Sequence, residues 1–212
     1  MQNSLALKTK IYHLESNKKY HCIYADPPWE TRAGRPFDGY RVANGKQIFN
    51  CKDNQSRELN YPTMTIDEIA SLNIKSISEK DAHLYIWVIN KYILEVKKII
   101  QAWGFKYSTT IIWSKTPMGG GLGGAFGISH EFLLFCRRGQ LKTKNRIKGT
   151  VHHVKRPYLN GKPCHSKKPE YFANLIEQVS PGPYLELFAR ERRKGWDSFG
   201  NEVDDSIKIT KE

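Results

Sequence analysis

The chain has 212 residues, of which 39% are hydrophobic and 12% aromatic, and this suits one large domain, or two small ones, with a packed core. Its 34 Lys and Arg residues against 21 Asp and Glu residues give a formal net charge of +13, which is typical of proteins that contact a polyanion, although a merely basic soluble protein has the same charge. The longest apolar run, Leu84 to Ile89, is too short for a membrane span, and the N-terminus lacks a secretory signal. The scattered cysteines match neither a disulfide framework nor the spacing of a zinc site. We therefore expect a cytoplasmic protein without a metal.

Strand and helix signals alternate along the chain. Short apolar runs predict strands, and apolar residues recurring every three or four positions predict helices. The predicted strands are Tyr20–Ala25, Ala82–Ile89, Lys106–Trp113, Glu131–Cys136 and Tyr184–Phe188. The predicted helices are one that begins near Thr65, with Glu68 completing a capping box, and those at Lys91–Trp103 and Lys168–Val179. This alternation predicts an α/β fold with a mainly parallel sheet and helices on both faces.

The chain shows no internal repeat and no linker that would divide it. We therefore predict a single domain over residues 1–212 with long loops at about 30–62 and 114–129. The second loop contains the glycine-rich run 119–127, which precedes a strand rather than a helix and so lacks the context of a dinucleotide-binding loop. We expect a mobile loop there that folds over a substrate or forms a subunit contact.

The segment Asp26-Pro27-Pro28-Trp29 follows the first predicted strand directly, where ligands bind in open α/β sheets. The prolines donate no hydrogen bonds, so the carbonyls of Asp26 and Pro27 can accept them beside the Asp26 carboxylate. The indole of Trp29 would offer an aromatic face on which a planar base could stack. The alternative is a rigid turn with an anchoring tryptophan and no catalytic role.

This cluster of acceptors suits a base with an exocyclic amine. Such an amine is a poor nucleophile because its lone pair is delocalised into the ring. Two acceptors that bind its N–H groups favour a localised lone pair, which can attack a cationic methyl donor. Asp26 can then take up charge as the transition state develops.

The segment Tyr24–Trp29 also resembles the catalytic motif of amino-methyltransferases that use S-adenosylmethionine. The form with Trp29 is similar to the branch that contains the catalytic subunit of the eukaryotic messenger-RNA adenosine methyltransferase and its bacterial and phage DNA-modifying relatives. Other segments resemble this family in the same order: Met64–Ile69, His83–Asn90, His130–Gly139, His165–Glu170, Leu185–Arg190 and Trp196–Asn201. The resemblance implies a Rossmann-like methyltransferase fold with the catalytic motif ahead of the cofactor motif, and a bacterial or phage-infected cell as its setting.

The resemblance further implies S-adenosylmethionine as cofactor, S-adenosylhomocysteine as product, and no metal. Lys168, at a predicted helix start, can neutralise the carboxylate of this cofactor, and Asp26 can hold its ammonium group. Together with Asp26, the residues that match the family's cofactor pocket or support it are Ser166, Lys168, Glu186, Arg190, Asn201 and Glu202. Glu202 departs from the neutral amide of many relatives, and Glu186 either shapes the pocket or contacts the ligand.

Basic and aromatic residues follow the catalytic motif, as expected for contacts with phosphates and with a displaced base. The predicted nucleic-acid contacts are Arg32, Arg35, Phe37, Tyr40 and Arg41, together with Arg137 and Arg138 from a second basic cluster that continues to Lys148. Solvated loops are the alternative. A paired adenine must leave the base stack before its amine can react. Because no large extra domain for reading sequence is evident, we expect short or relaxed recognition, or recognition shared within a homodimer or heterodimer.

Together these features predict methyl transfer from S-adenosylmethionine to the N6 amine of adenine in nucleic acid. DNA is favoured because the chain is small and basic and shows no appended RNA-binding module. The alternatives are an RNA adenine N6-methyltransferase, an inactive nucleic-acid-binding subunit of a methyltransferase complex, and transfer to the N4 amine of cytosine.

Overall fold

The computed structural model describes residues 12–30, 41–43, 46–48, 63–116, 125–159, 162–163, 167–200, 203 and 207–211. The helices in these ranges are α1 (Ile66–Ser71), α2 (Ile74–Ile77), α3 (Lys97–Ala102) and α4 (Glu170–Val179), with a 3₁₀ helix at Asn90–Tyr92. The strands are β1 (Tyr12–Glu15), β2 (Tyr20–Ala25), β3 (Arg41–Ala43), β4 (Lys46–Ile48), β5 (Ser78–Val88), β6 (Lys106–Thr116), β7 (His130–Arg138), β8 (Val151–Lys155), β9 (Tyr158–Leu159), β10 (Lys162–Pro163), β11 (Tyr184–Leu187), β12 (Trp196–Phe199) and β13 (Lys208–Lys211).

Seven of these strands form one sheet in the order β12-β11-β2-β5-β7-β6-β8. All of them except β7 run in one direction, because β7 pairs antiparallel with β5 and β6 while the other neighbours pair parallel. This confirms the predicted α/β fold with a mainly parallel sheet. Since β7 is reversed, its first residues, His130 and Glu131, lie at the edge where the parallel strands end.

Both faces of the sheet are covered by helices, as predicted. Side chains that alternate along β2 and β5 point to opposite faces, and each set packs on a different group of helices. One buried cluster contains residues of β2, β5, α1 and α3: Ile23, Ala25, Leu84, Ile86, Ile69 and Ile99. The other contains residues of β2, β5 and α4: Tyr24, Tyr85, Trp87, Phe172 and Ile176. Full burial of one such side chain contributes about 1.5–3 kcal/mol to folding.

The start of α1 is confirmed as a capping box. The Thr65 hydroxyl accepts a hydrogen bond from the Glu68 backbone N–H at 3.2 Å, and the Glu68 carboxylate accepts one from the Thr65 N–H at 2.8 Å. The continuous helix predicted for Lys91–Trp103 is wrong in its first half. The chain there makes a 3₁₀ helix and turns, because the N–H groups of Glu95 and Lys98 bond to carbonyls three residues back.

Two strands of the main sheet had no clear sequence signal. The short strand β12 extends the sheet beyond β11, and the polar edge strand β8 pairs on one side with β6. This second pairing also corrects the predicted loop at 114–129, because β6 continues to Thr116, which lies opposite Lys155. Most of the predicted loop at 30–62 lies outside the described residues. No helix within the described ranges is long and apolar enough to cross a membrane.

Candidate active site at the carboxyl edge of the sheet

The turn after β2 places Asp26 at the carboxyl edge, near the middle of the sheet. The Asp26 N–H donates to the Leu187 carbonyl at 3.4 Å, which continues the pairing of β2 with β11 by one residue. The turn is then closed by hydrogen bonds to its own carbonyls, from the Trp29 N–H to Pro27 at 2.8 Å and from the Met64 N–H to Pro28 at 2.8 Å. Two prolines and two such bonds hold the turn rigid and fix the position of the Asp26 backbone.

Trp29 is held differently from the expected base-stacking platform. Its side chain is only 5% exposed, its indole N–H donates to the Trp87 carbonyl at 3.1 Å, and its ring stacks on Tyr92 with 5.2 Å between centroids. The expectation that this indole is presented to a ligand is therefore wrong in this structure, because both its polar atom and one face are used inside the protein. Trp29 anchors the turn that carries Asp26.

A cluster of four charged side chains lies beside this turn. The Lys168 ammonium is 2.7 Å from the Asp26 carboxylate oxygen Oδ2 and 3.3 Å from the Glu131 oxygen Oε2. The other Glu131 oxygen pairs with Lys115, which lies on the neighbouring strand β6. All four side chains are mostly shielded from solvent; Asp26 is the most exposed, at 26%. The cluster therefore balances two carboxylates against two ammonium groups.

Burial and these neighbours shift the ionisation of the cluster. Burial raises the pKa of Asp26 above its usual value, and the nearby Lys168 opposes that shift without cancelling it. For Glu131, burial acts in the same direction, but Lys168 and Lys115 together outweigh it and lower the pKa of this carboxyl. The pKa of Lys168 is raised despite its burial, because Asp26 and Glu131 both favour its charged form. Within the cluster, Asp26 is thus the carboxylate that most readily takes up a proton.

Glu186 lies on β11 beside this cluster and is also poorly solvated. Burial raises its pKa to about 7, and Arg193, whose Nε lies 3.8 Å from Glu186 Oε2, limits the rise. Arg193 also pairs with Glu170 at the start of α4, at 3.2 Å. The guanidinium therefore links the first turn of α4, next to Lys168, with the strand that carries Glu186.

The segments that follow β11 and β12 are in close contact. Phe188 has φ = 62°, a conformation that non-glycine residues rarely adopt, directly after β11. A Cβ atom on Gly200 would lie 2.2 Å from the Ala189 carbonyl oxygen, so only glycine fits where these segments cross. The loop that begins in this way carries Arg190, whose positive charge, like that of Lys168, limits the rise in the pKa of Asp26 that burial causes.

The structure brings together some of the predicted site residues and separates others. Asp26, Lys168, Glu186 and Arg190 gather at the carboxyl edge of the sheet. Arg137 and Arg138 lie at the other end of β7, about 20 Å or more from this edge by strand length, and they bond to the carbonyls of Leu141 and Lys75. The predicted residues outside the described part are Ser166, Asn201, Glu202, Arg32, Arg35, Phe37 and Tyr40, and of Arg41 only the backbone is described, in β3.

Glu131 and Lys115 belong to the cluster although neither was predicted as a site residue. Glu131 begins an apolar segment that reads as a strand, and only the reversed direction of β7 brings it to the carboxyl edge. The signal that could have found it is the acidic residue within His130–Gly139, a segment that resembles the family. Among the described residues, no group of three or more His, Cys, Asp or Glu side chains is arranged to hold a metal ion.

Comparisons with known proteins agree with this architecture. The family description MT-A70 matches residues 20–202. The type II methyltransferase M.MunI of Mycoplasma sp is 29% identical over 194 residues, which cover 89% of this chain and 80% of that protein. The N(6)-adenosine-methyltransferase catalytic subunit METTL3 of Homo sapiens is 26% identical over 198 residues, which cover 88% of this chain but 28% of that protein.

The N(6)-adenine-specific methyltransferase METTL4 of Mus musculus is 26% identical over 203 residues, which cover 90% of this chain and 39% of that protein. The chain thus spans most of the bacterial relative and well under half of these two animal relatives. Methyltransferases of the matched family generally use S-adenosylmethionine, and the predicted class of activity, methylation of the adenine N6 amine, is confirmed at the level of the family. With a match over residues 20–202, the chain belongs to the MT-A70 family.

Proposed function

We propose that this chain is an S-adenosylmethionine-dependent DNA adenine N6-methyltransferase in which Asp26 acts on the substrate amine and Lys168 positions Asp26. The observation that carries the proposal is the buried contact of 2.7 Å between Lys168 Nζ and Asp26 Oδ2, at the carboxyl edge of the sheet. The choice of DNA is supported by M.MunI, of which the chain covers 80%, and by the net charge of +13.

The side chains at this edge fit the chemistry of the cofactor. S-adenosylmethionine carries an ammonium group and a ribose diol, which suit carboxylates, and a carboxylate, which suits a cation. Asp26 would accept from the ammonium group, Glu186 would accept from the ribose, and Arg190 would face the anionic part. The close crossing at Gly200 keeps the ends of β11 and β12 together, as a shared binding edge requires. When bound, the cofactor supplies an electrophilic methyl group.

We propose different roles for the two Asp26 oxygens. Oδ2 is bonded to Lys168, whereas no described residue donates to Oδ1. Oδ1 would therefore accept a hydrogen bond from the exocyclic amine of adenine and orient its lone pair. After transfer the amine must lose a proton, and Asp26 is suited to receive it because burial raises the pKa of this carboxyl. Lys168 restricts rotation of the carboxylate throughout.

This assignment changes the role predicted for Lys168. The sequence suggested that Lys168 neutralises the carboxylate of the cofactor. In the structure its ammonium lies between Asp26 and Glu131, so the charges nearest to it are those of the protein. We therefore propose Lys168 as a positioning residue for Asp26, with Glu131 as the second carboxylate that keeps it charged.

The test is methyl transfer with labelled S-adenosylmethionine to adenine-containing DNA and to RNA of the same sequence, followed by nucleoside analysis. We expect N6-methyladenine in DNA and at least a 10²-fold lower rate for Asp26→Asn, since one preorganised group is worth about that much. The Asp67→Asn variant is a matched control, because it makes the same change in an exposed carboxylate on α1.

Each alternative predicts a different product. Label found mainly in RNA would overturn the choice of DNA, and N4-methylcytosine would overturn the choice of adenine. An inactive nucleic-acid-binding subunit would transfer no label and would not bind S-adenosylmethionine in calorimetry. Full activity of Asp26→Asn would refute the role of this carboxylate.

A further inference from the structure

One long stretch of the chain contains no acidic residue. Residues 132–169 lack Asp and Glu altogether. The Lys and Arg residues in this stretch are Arg137, Arg138, Lys142, Lys144, Arg146, Lys148, Lys155, Arg156, Lys162, Lys167 and Lys168. A run of this composition carries a strong positive potential unless acidic groups from elsewhere in the fold neutralise it.

The fold carries this stretch along the side of α4 toward the candidate active site. At the far end of α4, the Lys144 N–H donates to the Val179 carbonyl at 2.7 Å and the Asn145 side chain donates to the Gln178 carbonyl at 2.9 Å. The chain then enters β8, which runs parallel to β6 and ends, like β6, at the carboxyl edge. The stretch therefore covers the length of α4, about 15 Å, and arrives beside the edge that carries Asp26.

Four cations on this path have no acidic partner among the residues that the structure describes. Arg146, Lys148 and Lys155 are exposed and Arg156 is half-buried, and none of them forms an ion pair with a described residue. Some other surface cations do form ion pairs, since Lys98 pairs with Asp67 and Lys167 with Glu191. We call Arg146, Lys148, Lys155 and Arg156 the basic flank. Its charges remain available for an anionic partner.

Two exposed aromatic side chains lie near the end of the basic flank that is closer to the candidate active site. Tyr158, two residues after Arg156, is 57% exposed, and Tyr171 is 42% exposed. The Tyr171 hydroxyl lies 2.8 Å from His152 Nδ1, which joins β8 to the first turn of α4. Tyr171 in turn is three residues from Lys168, the partner of Asp26. Exposed aromatic rings beside unneutralised cations are typical of surfaces that bind single nucleic-acid strands.

The distance between the basic flank and the catalytic turn suits a nucleic-acid strand. From β8 to β2 there are four strand spacings in the order β8-β6-β7-β5-β2, which is about 19 Å. A stacked strand carries one phosphate about every 3.4 Å, so this span corresponds to roughly five nucleotides. One strand could therefore contact the basic flank while a nucleotide near its end is turned out toward Asp26.

We propose that the basic flank binds the phosphates of the substrate strand on one side of the target adenine, with Tyr158 and Tyr171 stacking on displaced flanking bases. This inference rests on the proposed function and specifies where its nucleic-acid substrate lies. It assigns the electrostatic contacts to the α4 side of the molecule, in place of Arg137 and Arg138 at the opposite edge.

The test compares two double variants that remove the same charge. Lys148→Gln/Lys155→Gln alters the basic flank, and Lys97→Gln/Lys106→Gln removes two exposed lysines on α3 and at the start of β6. Binding of a fluorescent adenine-containing duplex is measured by anisotropy at several salt concentrations, with S-adenosylhomocysteine present. Each lost phosphate contact should reduce the slope of log K against log salt by about 0.9, so the flank variant should lose about 1.8 and the control variant nothing.

The outcomes separate this inference from the proposed function. Equal slopes for the two variants would overturn the proposed role of the basic flank in phosphate binding, even if the wild-type protein methylates DNA. A reduced slope for the flank variant alone, without methyl transfer by the wild type, would support the flank and overturn the proposed function. Absence of DNA binding by the wild-type protein would overturn both.

Discussion

Replacing Glu131 by Gln should destabilise the protein and slow methyl transfer, although this residue was not predicted to belong to the site. The change keeps the size of the side chain and removes its charge. Lys168 would then keep only the Asp26 carboxylate, and Lys115 would lose its carboxylate partner in a poorly solvated place, where the side chains of both lysines are less than 15% exposed. An ammonium group left without its partner there must be desolvated at a cost or lose its proton.

The size of the effect follows from this burial. Removing one partner of a buried ion pair typically costs about 3–5 kcal/mol, and we use the lower figure because Glu131 itself is 18% exposed. For a chain of this length, about 3 kcal/mol corresponds to a fall in melting temperature of roughly 6–12 °C. The turnover number should fall by about 10²-fold, because Lys168 would lose one of the two carboxylates that fix its position, and Asp26 would shift with it.

Thermal unfolding and methyl transfer measured on the same preparations would check this prediction. The control is Asp67→Asn, since the ion pair of Asp67 with Lys98 is about two thirds exposed and its loss should cost about 1 kcal/mol or less. If Glu131→Gln melted within 2–3 °C of Asp67→Asn, about 1 kcal/mol at this size, the four charges would not form a coupled buried cluster and the reasoning would be refuted.

Two further predictions concern residues next to the cluster. Trp29→Phe keeps the stack on Tyr92 but loses the hydrogen bond to the Trp87 carbonyl, so the free energy of unfolding should fall by about 1–3 kcal/mol. KM for DNA should change less than fivefold. If Trp29 were a stacking platform for the base, KM would instead rise by about 5- to 150-fold, which corresponds to about 1–3 kcal/mol. Glu186→Gln should raise the melting temperature of the cofactor-free protein at pH 8 and leave it unchanged near pH 4. Burial raises the pKa of Glu186 to about 7, so the folded state loses stability as the pH rises from the range where unfolded glutamate ionises, near 4.5, through 7. An equal difference in melting temperature at both pH values would contradict this.

The sheet core and the catalytic turn could be predicted because their signals are local. Continuous apolar runs at β2 and β5 indicate strands buried on both faces, and the two prolines after Asp26 end the first of them abruptly. The capping box at Thr65 is equally local, since both of its hydrogen bonds join residues three apart. A polar edge strand such as β8 cannot be predicted in this way, because its side chains are exposed or half-buried and do not form a continuous apolar run.

The amino-acid sequence by itself determined the α/β class, the rigid acidic turn and the excess of positive charge. The first two depend on residues that are adjacent in the chain, and the third is the sum of the charges of all its residues. Only the tertiary structure decided that Glu131 and Lys168 share a cluster with Asp26, that Trp29 faces inward, and that Arg137 lies far from the site. These outcomes depend on strand order and on the reversed direction of β7. Both are set by packing between residues that are distant in the chain, and such packing produces no local pattern in the sequence.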